Sequence, residues 1–180
     1  MLSIVVPAGE LWDESKQEFI AVKEQKLQLE HSLVSIAKWE RTWNKPFLSK
    51  KELSTEETTD YIRCMTITQN VDPNTYRFVT GDNLRQINAY MEAPMTAAWF
   101  KESGKGKMGR EQITAEIIYY WMISHGIPFE CQKWHLNSLL ALIRTCNAKN
   151  QPPKKMSSKE IARSNSAINA ARRKMLNSKG

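Results

Sequence analysis

Residues 115–144 read AEIIYYWMISHGIPFECQKWHLNSLLALIR, the densest apolar stretch of the chain. Gly126 and Pro128 cut it in two. Gly126 sits where a left-handed C-cap is wanted, and Pro128 bars continuation. On the upstream side the spacing predicts a helix from Arg110 to His125, with Ile113, Ile117, Tyr120 and Trp121 and further apolar residues on its other faces. A helix apolar around most of its girth belongs at the centre of a fold. On the downstream side residues 131–147 place Trp134, Leu136, Leu139, Leu140, Leu142, Ile143 and Cys146 on a second helix. Two helices with a short join predict an antiparallel hairpin as the core.

Working back towards the N-terminus, the segments ahead of this hairpin are also helical. SLVSIAKWERTW (32–43) has Ser32 as an N-cap and Leu33, Ile36, Trp39 or Glu40, and Trp43 near helical spacing, with Pro46 as its stop. STEETTDYIRCMTITQ (54–69) opens on a Ser54–Glu57 capping box. Pro73 begins a short helix to about Val79, and Asp82 is the expected cap of NLRQINAYM, which Pro94 breaks. KESGKGKMGR (101–110), with three glycines and four basic residues, reads as a surface loop.

The first thirty residues have a different texture. LSIVV (2–6) and EFIAV (18–22) are short β-branched runs, GELWDESKQ between them supplies turn residues, and KLQLE (26–30) alternates with period two. A small antiparallel hairpin or sheet of two or three strands follows, and it must lie on the helices to be stable. The fold class is therefore α+β, mostly α: a helical bundle with a small N-terminal antiparallel sheet, over residues 1–147.

After Asn147 the composition changes. Pro152 and Pro153 stop any helix, and residues 148–180 carry nine basic residues against Glu160 alone, a net charge of +8. The other 147 residues hold 17 basic and 18 acidic side chains, so the overall +7 resides entirely in the arm. Ser157 and Glu160 offer a cap for a last helix, but its aliphatic residues are few, which predicts a nascent or partner-ordered helix. Such an arm suits an acidic protein surface, with a solubilising tail as the plainer alternative. Nucleic acid is the less favoured partner, because the arm has no aromatic residue to stack on bases.

No arrangement of residues announces catalysis, a cofactor or a metal. Cys131 and His135 lie four apart on the expected helix, but zinc needs about four ligands and no second pair has ligand spacing. His31 and His125 are isolated. SGKGKMGR lacks the residue order and the preceding strand of a phosphate loop. Glu56–Glu57 and Asp13–Glu14 read as helix-start and loop charges. Cys64, Cys131 and Cys146 are an odd set without CxxC spacing, which fits reduced thiols. The opening MLSIVVPAGELWDE has no basic n-region and does not read as a signal peptide, and apolar runs such as 117–123 fall short of the ~20 residues of a membrane span. Six tryptophans (Trp12, Trp39, Trp43, Trp99, Trp121, Trp134) are expected mostly in the core, with Trp12 in a loop and partly exposed. The candidate partner-binding residues are Trp12 and the basic Lys154, Lys155, Arg163, Arg172, Arg173 and Lys174 of the arm.

The blocks LQLEHSLVSIAKWE (27–40), TDYIRCMTITQNV (59–71) and 115–144, with the ending NQPPKKM…NAARRKMLNSKG, resemble tailed-bacteriophage structural-module proteins, and within these the tail assembly chaperones. The resemblance implies a non-enzymatic protein of the host cytoplasm. Its partners would be the long apolar tape measure protein and the tail-tube protein. It carries over no functional residue. A virion component at the neck or tail, using its arm to reach a neighbouring subunit, is the alternative.

Overall fold

The computed structural model describes residues 1–14, 17–49, 52–98, 112–150 and 157–176. The chain divides into two compact units, Met1–Cys146 and Asn147–Gly180. The first is mostly helical, with small N-terminal antiparallel sheets against the helices.

Strands β1 (Leu2–Val6), β2 (Gly9–Asp13), β3 (Glu18–Val22) and β4 (Gln25–Leu29) form one interrupted ribbon. β1 pairs with β4 from Leu2↔Leu29 to Val6↔Gln25, and β2 pairs with β3 from Gly9↔Val22 to Asp13↔Glu18. Partner numbers total 31 in both halves, so the register crosses the break unchanged. The break itself sets Pro7 and Ala8 against Lys23 and Glu24, and Pro7 has no N–H to give a ladder. GELWD, expected as loop, is thus a strand. Cross-strand pairing of Leu11 with Ile20 and Trp12 with Phe19 outweighs the poor strand preference of Gly9, Glu10 and Asp13.

In the proximal half, the period of two sorts the residues. Ile4, Val6, Leu27 and Leu29 are buried, whereas Ser3, Val5, Lys26 and Gln28 face water. The free edge of β4 is taken up by residues 65–68. Glu30 N–H donates to the Met65 carbonyl at 2.9 Å, Ile67 N–H to the Gln28 carbonyl at 2.8 Å, and Gln28 N–H to Thr68 Oγ1 at 2.8 Å. That recruitment ends helix α2 (Thr55–Met65) four residues before the expected position.

The helix at the centre is α1 (Leu33–Trp43). It buries Leu33, Ile36, Ala37 and Trp39, and packs against α2, α4 (Ala115–Ser124) and two 3-10 turns at Phe47–Ser49 and Phe129–Lys133. The hairpin expected at 110–147 is corrected accordingly. α4 and α5 (Leu136–Asn150) supply Ile118, Met122, Leu136, Leu139 and Ile143 to the core, but α4 leaves Tyr120 and Ile123 in solvent. Gly126 does adopt the left-handed conformation, at φ 63°.

Capping chemistry sets most boundaries. Ser32 with Ser35, and Ser54 with Glu57, form reciprocal capping boxes. α1 ends on Asn44, left-handed at φ 52°, ahead of Pro46. The segment after Pro73 is a 3-10 turn, Pro73–Phe78, capped by Asp72. α3 (Gly81–Glu92) starts from Thr80 and not from Asp82. Asn83 N–H donates to Thr80 Oγ1 at 3.2 Å, and Thr80 N–H donates back to Asn83 Oδ1 at 3.1 Å. Asp82 instead pairs with Arg85 on the surface. Among the described residues no helix is long and apolar enough to cross a membrane.

Candidate partner-binding surface

The distal ribbon, β2 and β3, presents two large aromatic side chains to water. Trp12 and Phe19 are direct cross-strand partners, so both point to one face. Their ring centroids lie 4.9 Å apart at 61°, an edge-to-face contact. Trp12 is nevertheless 51% exposed and Phe19 67%. An aromatic pair of this kind contributes about 0.5–1.5 kcal/mol beyond its area burial. It therefore steadies the ribbon while leaving most of its apolar surface open. Glu10 and Glu14, two residues either side of Trp12, are exposed, and Glu18 is exposed on the other face of the ribbon.

The base of this ribbon is anchored. Val22 is buried, and its partner Gly9 lies under the ring of Phe78, where any Cβ would collide with the aromatic carbons. Gly9 is thus required for a close approach. On the face opposite Trp12, Leu11 and Ile20 are half-buried. The anchored base and open tip make the aromatic pair a protruding surface.

Behind β4 lies a buried polar network. His31 Nδ1 and Tyr61 Oη are 2.5 Å apart, and the rings of His31 and His135 stack edge-on at 5.2 Å. His135 Nε2–H donates to the Tyr90 carbonyl at 3.0 Å, while its Nδ1 accepts from Asn137 N–H at 3.2 Å, which fixes the tautomer. Asn137 Nδ2 donates to the Met91 and Ala93 carbonyls at 3.1 and 2.7 Å. These side chains close the C-terminal end of α3. Tyr90 donates to Glu30 Oε1 at 2.7 Å, and the Met1 amino group lies 3.0 Å from Glu30 Oε2. Burial, with His135 nearby, pulls His31 down to about 4, and burial also lowers His135. Burial raises the Tyr61 hydroxyl. All three are neutral at neutral pH, and their bonds tie together elements of the fold.

The helical pairing once expected for Cys131 and His135 does not exist. Cys131 lies in a 3-10 turn and His135 precedes α5. Among the described residues no group of three or more His, Cys, Asp or Glu is placed to hold a metal ion. Burial, then Asp60, pushes the Cys64 thiol up to about 11, so it stays protonated. Glu57 is absorbed in the α2 capping box and in an ion pair with Lys45 at 2.8 Å.

In the second unit, Ser158–Leu176 forms a helix, α6, where the sequence argued for a nascent or partner-ordered one. The Ser157–Glu160 box caps it: Ser157 N–H donates to Glu160 Oε2 at 2.9 Å, and Glu160 N–H to Ser157 Oγ at 3.3 Å. These bonds hold the Glu160 carboxyl below the usual carboxylate range. No residue of α6 is buried. Ile161, Ile168 and Met175 recur every seven residues and fall on one stripe. Arg163 and Arg173 lie on the far side, Arg172 beside the stripe, and Lys174 about 100° round the helix from Met175, on its flank. Lys154, Lys155, Trp99 and the loop 101–110 lie outside the described residues.

No family model, curated protein or solved structure matches the chain.

Of the candidate residues, Trp12 is exposed on a strand and not on a loop, and Arg163, Arg172, Arg173 and Lys174 share one helix. Sequence reasoning missed Phe19. The signal was available: GELWD and EFIAV sit symmetrically about the ESKQ turn, which makes Trp12 and Phe19 opposite residues. The Ile161, Ile168, Met175 stripe is legible only from the seven-residue spacing of its members, since their number is small.

Proposed function

We propose that the protein is a non-catalytic assembly factor of the tail assembly chaperone kind, holding a long apolar tape measure protein soluble while tail-tube subunits gather on it. The observation that carries this reading is the exposed Trp12–Phe19 pair on its anchored ribbon. Tryptophan and tyrosine-like aromatic anchors dominate protein contacts, because they bury large area with little loss of side-chain freedom. A client helix with an apolar face fits such a surface, and the exposed Glu10 and Glu14 beside Trp12 favour cationic flanks on the client. The resemblance of three sequence blocks to tailed-phage proteins supplies the identity of the client.

Co-expression tests this directly. The full chain raises the soluble yield of a tape measure protein and co-purifies with it; unchanged yield with no complex would overturn the proposal.

The exposed basic helix α6 favours a second reading, a neck or tail component of the virion that grips a neighbouring subunit. Quantitative mass spectrometry of purified particles separates the two. A stoichiometric copy number supports the virion component, and absence supports the assembly factor.

A further inference from the structure

We infer that, before a client arrives, the ribbon tip around Trp12 and Phe19 is occupied by helix α6 of a second copy of this chain. The inference rests on the proposed function in taking the tip as a docking surface. Charge and shape on the two surfaces select this occupant.

Residues 9–22 carry Glu10, Asp13, Glu14 and Glu18 against Lys16, a net −3. Residues 158–176 carry Lys159, Arg163, Arg172, Arg173 and Lys174 against Glu160, a net +4. Two tips repel each other, as do two α6 helices, so like-with-like pairing is disfavoured on both sides. A tip and an arm attract.

The apolar groups also match. Ile161 and Ile168 are 45% and 47% exposed on one stripe, which ends at the fully projecting Met175. The stripe spans about 21 Å at 1.5 Å per residue. Methionine sulfur makes favourable contacts at aromatic edges, and Arg172 beside Met175 would then meet Glu10 and Glu14, which flank Trp12. The contact is heterologous. Each chain offers one tip and one arm, so association closes as a reciprocal dimer or continues from chain to chain.

Sedimentation velocity of the full-length protein over a concentration series tests this. At about 50 mM salt the mean mass rises with concentration, and at about 500 mM salt it returns towards the monomer, because exposed charges are screened. The double variant Trp12→Ser with Phe19→Ser self-associates about tenfold more weakly or worse. So does the triple variant Arg172→Glu, Arg173→Glu, Lys174→Glu. In an equimolar mixture, that chain and one with Glu10→Lys, Glu14→Lys and Glu18→Lys associate with each other more strongly than either does with itself. All these side chains are exposed, and a thermal melt of each variant confirms that it is folded.

Carbodiimide cross-linking of mixed light and heavy-isotope chains identifies the occupant, with Lys174 linked to Glu10 or Glu14 between chains as the expected product. A protein that stays monomeric at low salt, variants that associate like the native chain, or cross-links confined within single chains each overturn the inference. A monomeric chain that still keeps a tape measure protein soluble overturns this inference alone and leaves the proposed function standing.

Discussion

Glu40 illustrates how single side chains set this architecture. It is buried on α1, and each of its carboxylate oxygens accepts a different backbone N–H: Phe47 at 2.8 Å and Ala115, the first residue of α4, at 2.8 Å. Thr114, the formal cap of α4, makes no side-chain cap bond, so Glu40 supplies that function from another helix. Glu40→Gln keeps one oxygen but turns an N–H₂ towards a donor. We expect a loss of about 2 kcal/mol, seen as a lower urea midpoint with an unchanged slope. Gly9→Ala should also destabilise the protein, since the added methyl must displace the Phe78 ring. His31 gives the fold a pH dependence. Its folded-state value near 4 lies below the ordinary 6.5, so the unfolded chain takes up the proton first. The associated stability is complete above about pH 6.5 and lost as pH falls towards 4, up to about 3 kcal/mol. A denaturation series from pH 7 to 4 checks this, and His31→Phe should flatten the slope. None of these roles was legible in the sequence, because each partner is remote in the chain: Glu40 from Ala115, Gly9 from Phe78, His31 from Tyr61.

At the scale of elements, local chemistry was far more readable. The Ser32 and Ser54 caps, the Gly126 turn and the Ser157–Glu160 box act where their spacing placed them. Two boundaries escaped for a physical reason. Thr80 and Asp82 are both competent caps, and only the Thr80–Asn83 exchange decides between them. Thr80→Ala should therefore cost about 1 kcal/mol, while Asp82→Ala should change stability by no more than a few tenths of that amount; paired thermal melts distinguish the two. The other is GELWD, whose glycine and acids argue for a loop and whose strand conformation comes from its partner EFIAV. Strand pairing is non-local, so residue preference underestimates it. The apolar run at 115–123 misled in the opposite way: a helix apolar on all sides need not be buried on all sides, and Tyr120 and Ile123 remain in water.

For the whole molecule, composition located the charge correctly and said little about its use. The +8 of residues 148–180 and the −1 of the remainder are sequence facts, and the exposed α6 gives part of that charge a helical framework. The candidate site was only half legible. Trp12 stood out as a tryptophan in a polar stretch, whereas the surface it forms exists only once β2 and β3 pair and bring Phe19 beside it. We propose this paired aromatic tip as the place where a client binds. Amide hydrogen exchange of the full chain, with and without a tape measure protein, at about 500 mM salt where self-association is screened, tests this. Slower exchange is expected in Gly9–Asp13 and Glu18–Val22 on complex formation, because client contact suppresses opening of a marginal ribbon. A complex that forms while these two strands exchange as fast as in the free protein would contradict it.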